Sequence, residues 1–517
     1  MPNFVGAVRR KEELVEGIQG EGQTAGPSAS ITEFCGTGSH FRWVTVGALP
    51  DEVLLEIFSF YINELERGDQ YEVDRDHRWR TLIHVCRRWR TVVFASPCRL
   101  DLRLLCTEKS PVREMLDIWP ALPISICSVK DDSSLIKGAD NITAALEHND
   151  RVCQISLRHR SGSHLEEIAS TMHEPFPALT HLHIVVSNSM RGAESVILFD
   201  EFLGGSASHL RHLSLSGIAF PALPNLLLSA TDLVDLHLNI PHMGHISPEA
   251  MATCLSVLTR LETLAIQFCS IPSTINRPPF LPTRTAIPAL TDLHLQGPSE
   301  YLDDLICRID VPVLAHIDVV FCDQHIFRTT QLVQFLSRTE KLSVFNRANL
   351  TVSPPFADIM FFPQSRPSDY LRVMLKTKFS SGGETDRLLS SLAWFCGSFL
   401  LPLSALESLS LQVNTSRSSN WQEDPTRWLD LLRHFINVKS LYLDAKAVPH
   451  VAPALQELVG EKVTEMLPAL QNIILKPQQP KLSRPVPKAI PEAVEQFAAA
   501  RQLTGRPVAV HVGGESG

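Results

Sequence analysis

One phrase recurs along most of this chain: apolar, two variable, apolar, one variable, apolar. It reads VCQISL at 152–157, LTHLHI at 179–184, LRHLSL at 210–215, LVDLHL at 233–238, LETLAI at 261–266, LTDLHL at 290–295 and LAHIDV at 314–319. Later copies are LESLSL at 406–411, VKSLYL at 438–443 and LQNIIL at 470–475. From 152 to 314 the starts are 27, 31, 23, 28, 29 and 24 residues apart. A period of that size marks one supersecondary unit stacked on itself, because a single unit cannot bury its own apolar face. Within a phrase the alternation is that of a strand. Leu213 and Leu215 point to one side, His212 and Ser214 to the other.

Helical patterns fill the gaps. SPEAMATCLSVLTR (247–260) has Ser247 as N-cap and Pro248 in the first turn, with Met251, Leu255 and Leu258 on one stripe. EDPTRWLDLLRHF starts a helix at Pro425 and turns Trp428, Leu431, Leu432 and Phe435 inward. Residues 455–466 repeat the pattern with Leu455, Leu458, Val459 and Met466. Strand–helix alternation with an irregular step and more than eight units argues an α/β solenoid of parallel strands with right-handed crossovers, not a closed barrel. Three stretches interrupt the repeat and read as loops: the Pro-rich 271–289 and 352–369, and the polar 414–424 with Trp421 as a candidate anchor. The tail becomes helical from about Pro491, and PVAVHV at 507–512 suits a last edge strand of a C-terminal cap.

At 517 residues the chain exceeds one compact core but fits an elongated one. Its net charge of −9 and lack of a basic run argue against nucleic acid or an anionic membrane as partner. The eleven cysteines include no CxxC pair, which fits free, mostly buried thiols in a reducing compartment, cytoplasmic or nuclear. The start turns charged where a signal peptide needs an apolar stretch, and the apolar run near 392–406 is broken and too short to span a bilayer. Residues 1–44 show no sustained apolar period and read as a disordered lead-in.

A different pattern precedes the repeat. In LPDEVLLEIFSFY (49–61), Pro50 suits the first helical position, and Asp51 and Glu52 meet the positive end of the helix dipole. Val53, Leu54, Ile57, Phe58 and Tyr61 share a stripe. An acidic connection, 62–76, leads to HRWRTLIHVCRRWRTVVF (77–94), where Trp79, Leu82, Ile83, Cys86, Trp89 and Val93 share a face. Two short amphipathic helices with wide apolar faces need something to cover them: the neighbouring domain, as a cap, or a partner.

The pairing of LPDEVLLEIF with HVCRRWR resembles the F-box, and the run that follows, SPCRLDLRLLCTEKSPVREMLDIWPALPISI, is similar to a group of fungal F-box proteins. The repeat phrase resembles degenerate leucine-rich repeats of the F-box class. The resemblance implies an F-box at 45–98 and a leucine-rich-repeat-like solenoid at 99–513. It implies a non-catalytic substrate receptor of a Skp–cullin–F-box ubiquitin ligase, without cofactor, that holds a client protein on the solenoid. The residues expected at the Skp adaptor are Leu49, Pro50, Leu54, Ile57, Phe58, Leu82, Val85, Cys86 and Trp89, some of which must instead form the module's own core. The alternative is a ligase-independent interaction scaffold.

Six histidines, His181, His183, His212, His237, His294 and His316, take variable strand positions. With Trp421 they are candidates for a client-binding surface. No cysteine or carboxylate completes a ligand set at consistent spacing, so no metal is expected there. Gly-x-Ser-x-Gly, HExxH and Walker patterns are absent, and the pairs Asp131-Asp132 and Asp303-Asp304 read as helix or turn caps.

Overall fold

The structure is a computed structural model, and it describes residues 46–63, 71–129, 139–159, 162–186, 196–240, 246–268, 284–322, 330–339, 344–364, 368–376, 384–398, 403–414, 424–458, 462–476 and 490–513. The 1–44 segment, Asp131, Asp132, Trp421, Val459 and most of 271–289 and 414–424 lie outside them. The chain divides into two compact units, Met1–Leu54 and Leu55–Gly517. In the first, a 3-10 turn at Val46–Ala48 leads into the start of helix α1 (Asp51–Asn63), which continues into the second; Leu54 N–H donates to the Pro50 carbonyl at 3.1 Å.

In the second unit, helices α2 (Tyr71–Val85) and α3 (Arg87–Ala95) follow α1. The single helical pattern read over 77–94 is therefore two helices. Cys86 breaks it with extended backbone, φ −158° and ψ 168°, and its Sγ accepts the Trp89 N–H at 3.5 Å as N-cap of α3.

Sixteen strands form one sheet. In chain order they are β1 (Leu104–Thr107), β2 (Ile124–Val129), β3 (Val152–His159), β4 (His181–Val186), β5 (His212–Ser216), β6 (Asp235–Ile240), β7 (Thr263–Phe268), β8 (Asp292–Gly297) and β9 (His316–Cys322). There follow β10 (Phe345–Ser353), β11 (Phe356–Pro363), β12 (Tyr370–Lys376), β13 (Ser408–Val413), β14 (Ser440–Asp444), β15 (Asn472–Lys476) and β16 (Ala509–Val512). All ten repeat phrases lie on strands, each ladder between consecutive phrases up to β9 is parallel, and the 507–512 segment adds the last parallel edge. This is the mixed α/β architecture of a leucine-rich-repeat-like solenoid.

Two unbroken apolar rows run under the sheet. One passes through Ile155, Leu182, Leu213, Leu236, Leu264, Leu293 and Ile317, the other through Leu157, Ile184, Leu215, Leu238, Ile266, Leu295 and Val319. All are buried in one core with helix residues such as Met251, Leu255, Leu305, Trp428 and Leu431. Each such side chain contributes about 1.5–3 kcal/mol on burial, which is why register is held so strictly. The cap read from sequence forms as expected, with Ser247 Oγ accepting the Ala250 N–H at 3.1 Å; Asp424, not singled out from sequence, caps the helix at Pro425 by accepting the Thr426 N–H on Oδ1 at 3.0 Å. Asp303 also caps, but at a distance: its Oδ1 takes the Gln331 N–H of helix Thr330–Arg338 at 3.1 Å.

One segment reverses the order. The 352–369 stretch, expected to be a structureless break, instead holds the centre of a three-stranded meander, β10–β11–β12. In the sheet β9 is followed by β12, then β11, then β10, then β13. Only the two ladders that β11 makes are antiparallel. The apolar rows nevertheless cross the inversion intact: Leu371 faces Phe361, Ala348 and Leu409, and Val373 faces Ile359, Leu350 and Leu411. The chain then returns over this segment through the helix Glu384–Ser398. The helix read over 455–466 also divides, into Val448–Gln456 and Lys462–Glu465.

At the start of the sheet, β1 exposes an edge that α2 guards. Asp76 Oδ1 accepts the Leu105 N–H at 3.4 Å, and Trp79 meets Trp119 edge-on with centroids 5.4 Å apart. A covered edge strand cannot recruit another chain by ladder pairing. Among the described residues, no helix is long and apolar enough to cross a membrane.

Candidate functional site

Two surfaces carry the residues singled out from sequence. The first lies on α1–α3, where packing sorts the nine expected adaptor contacts into two sets. Leu54, Phe58 and Leu82 are buried. Phe58 packs at a tilt against Trp89, with ring centroids 4.7 Å apart and 59° between planes, and Trp89 is half-buried. Ile57 is 46% exposed and Val85 56%, Pro50 and Cys86 are open to solvent, and Leu49 is half-buried. The Trp79, Leu82, Ile83 and Val93 face is sealed by the protein's own chain, so α2 and α3 do cap the solenoid. What stays open is a stripe on α1. It includes Phe60, 75% exposed, which sequence reasoning missed because the turn-by-turn pattern put it off the apolar face. Tyr61 stands beside it, with the Arg78 guanidinium 5.2 Å from its ring centre and Arg78 Nη1 donating to the Tyr61 carbonyl at 2.5 Å.

The second surface is the face of the sheet opposite the apolar rows. Register arranges its side chains in lines across the strands. One line runs Gln154, His181, His212, Asp235, Thr263, Asp292, His316, Tyr370, and the next runs Ser156, His183, Ser214, His237, Ala265, His294, Asp318, Arg372. All six histidines thus share one face in two neighbouring lines. A shallow recess of about 420 Å³ opens over β3–β6, floored by Arg158, His181, His183, His212, Asp235 and His237.

Histidine and aspartate side chains pair along these lines. His212 Nδ1 meets Asp235, His316 Nδ1 lies 2.6 Å from Asp292 Oδ1, and His294 Nδ1 lies 3.2 Å from Asp318 Oδ2. Arg372 joins Asp318 at 3.9 Å and Asp358 at 3.4 Å. Asp358 sits in the meander, where burial pushes its carboxyl up against the opposing pull of Arg372. Carboxylates do stand beside these histidines, one strand over, but in pairs, and among the described residues they complete no three-ligand set there. The spacing that matters is register across a 23- to 31-residue repeat, which a linear motif search does not see.

His181 is the exception. Its ring stacks on His212, centroids 4.2 Å apart and 19° between planes. Burial, then the His212 and Arg103 charges, lower its pKa from 6.5 to about 4. Between those values the unfolded chain takes up the proton and the folded one does not, so this residue costs stability as pH falls from 6.5 towards 4. We expect the His181 imidazole to titrate near pH 4 by side-chain NMR of the folded chain. A midpoint near 6.5 would show that the ring is solvated rather than stacked. The buried thiols are unreactive by the same physics: burial pushes Cys106 up to about 12 and Cys254 to about 11.

No family model matches the chain, and no curated protein matches it. Among solved structures it is similar to the protein in the crystal structure of the TLR13–ssRNA13 complex, at 12% identity and a TM-score of 0.29. The match covers 79% of this chain, which spans about half, 48%, of that one. A likeness this low carries no weight, and the solenoid rests on the strand register above.

Proposed function

We propose that this chain is an adaptor of the F-box type, which docks on a Skp–cullin ligase core through α1 and the α2–α3 junction and holds a client on the open face of its solenoid. The supporting observation is the exposed apolar stripe of Ile57, Phe60 and Tyr61, with Val85 at the end of α2. These belong to the segment whose LPDEVLLEIF and HVCRRWR motifs resemble the F-box. Apolar groups of this size, left open on a helix whose other side is packed, suit a helix-on-helix contact, and each contributes about 1.5–3 kcal/mol when covered. The client-holding surface in this reading is the recess over β3–β6, whose histidine and aspartate side chains offer both donors and acceptors. The chain supplies proximity, and the ubiquitin chemistry belongs to other subunits.

Binding of the full chain to the Skp adaptor tests the docking half. Ile57→Asp and Phe60→Asp should each weaken it by about 30-fold or more, the loss of a buried interface anchor, while the melting temperature stays unchanged. Leu54 and Phe58 are unsuitable for the test, because both are buried and their loss would disturb the helices themselves. Undiminished binding in both exposed variants would overturn the docking surface. Ubiquitination of a co-purified partner, lost with Ile57→Asp, separates a ligase receptor from a scaffold: adaptor binding without any such modification would favour the scaffold.

A further inference from the structure

The alternation that builds the core fails at one corner of the sheet. The second apolar row, aliphatic from Leu157 on β3 to Leu475 on β15, is continued on β2 by Ser128. The next inward position on β3, after Ile155 and Leu157, is His159. Both are core residues, Ser128 at 1% exposure and His159 at 3%. A polar group in a leucine position destabilises a fold unless it is satisfied, and sites that break a local rule in this way are where function concentrates.

Here the polar groups converge. The Ser128 hydroxyl donates to the Glu108 carboxylate and lies 3.1 Å from His159 Nε2. The Asn141 side chain fixes the backbone below, donating to the Glu108 carbonyl at 2.8 Å. His164, on the helix Gly162–Ala169, meets His159 edge-on with centroids 5.2 Å apart, and its Nδ1 lies 3.5 Å from Glu167 Oε2. One ligand-capable atom from each of Glu108, His159 and His164 lies within 4.8 Å of the other two, and no other three such residues do so among the described residues.

We propose that Glu108, His159 and His164 form a binding site for a divalent transition-metal ion, zinc by the character of its donors. Two imidazoles and a carboxylate are a zinc set with a fourth position left for water, whereas calcium and magnesium favour oxygen alone. Around a tetrahedral ion with bonds of about 2.0–2.1 Å the donors stand about 3.4 Å apart. The three must therefore close by at most about 1.4 Å, a movement open to the half-buried Glu108 and His164 while His159 stays fixed in the core. Ser128 and Glu167 hold the carboxylate and the second imidazole in place, as outer partners of metal ligands do. The ion would tie the end of β1, the end of β3 and the following helix together, a staple at the start of the solenoid.

The test uses the full chain, stripped with a chelator and titrated with Zn²⁺ by calorimetry and with Co²⁺ by visible absorption. We expect one ion per chain, tetrahedral-type Co²⁺ bands and a melting temperature raised by zinc. His164→Ala and Glu108→Gln should leave the metal-free melting temperature near that of the parent but weaken zinc by more than the roughly 10- to 100-fold of an outer-partner loss, which is the effect expected of Glu167→Gln. Substoichiometric zinc, or the same affinity in both ligand variants, would overturn the site and leave a hydrogen-bonded Ser–His–Glu cluster.

Discussion

Arg501→Met should destabilise the C-terminal end of the solenoid by about 3–5 kcal/mol, the loss of several charge-assisted hydrogen bonds worth about 1.5–3 kcal/mol each. Arg501 is fully buried on the helix Glu492–Leu503. Its Nη1 donates to the Val463 carbonyl at 3.0 Å and approaches that of Met466 at 3.4 Å. Its Nη2 reaches the carbonyls of Leu467, Pro468 and Leu470 at 3.4, 3.5 and 3.2 Å. These carbonyls lie at and just beyond the end of the short helix Lys462–Glu465, with Leu467 in left-handed backbone at φ +46°; that of Leu467 also accepts the Leu470 N–H at 2.9 Å, and that of Pro468 the Arg506 Nη1 at 3.3 Å. A helix C-terminus attracts positive charge, and the guanidinium fork answers several acceptors at once.

Without it these carbonyls lose their charged donor inside the cap. Arg501→Lys should recover little, since one ammonium cannot reach both sides of the turn. Chemical denaturation would report the loss, and hydrogen exchange should localise it to β15 and β16, because a stacked repeat frays from a damaged cap. A midpoint within about 0.5 kcal/mol of the parent, the usual range of a surface change, would refute the assignment.

Gly217→Ala should cost a comparable amount, about 3–5 kcal/mol, for a steric reason. Gly217 follows β5 at φ +75°, and its N–H donates to the Asn239 carbonyl at 2.8 Å. A Cβ there would stand 2.3 Å from the Val186 carbonyl oxygen, a backbone atom that moves only if β4 moves. Gly205 has nearly the same backbone, φ +68°, but open space around the missing Cβ. Gly205→Ala should therefore show the left-handed strain alone, about 1–2 kcal/mol. The difference between the two unfolding free energies isolates the clash, and equal losses would show that β4 and β5 slide apart freely.

Much of this protein is legible in its sequence, and the reason is period. Strands such as LRHLSL and LTDLHL bury every second residue, so the alternation alone assigns Leu213, Leu215, Leu293 and Leu295 to the core face. Ser247, Pro248 and Pro425 mark helix starts through chemistry that acts within three residues.

Tertiary structure alone decided what depends on partners far along the chain. The meander at 345–376 lies in reversed order, yet its strands alternate as any others do, and nothing local says which neighbour each will take. The histidine–aspartate pairs arise from register across whole repeats. The division of the α1–α3 residues into core and open surface came from Trp119 and the first strands filling one side, which left Ile57, Phe60 and Val85 to the other. Ser128 and His159 escape a linear reading for the same reason. Their meaning lies in the apolar residues opposite them one strand away, Leu157 and Val186, and only stacking the strands makes that contrast visible.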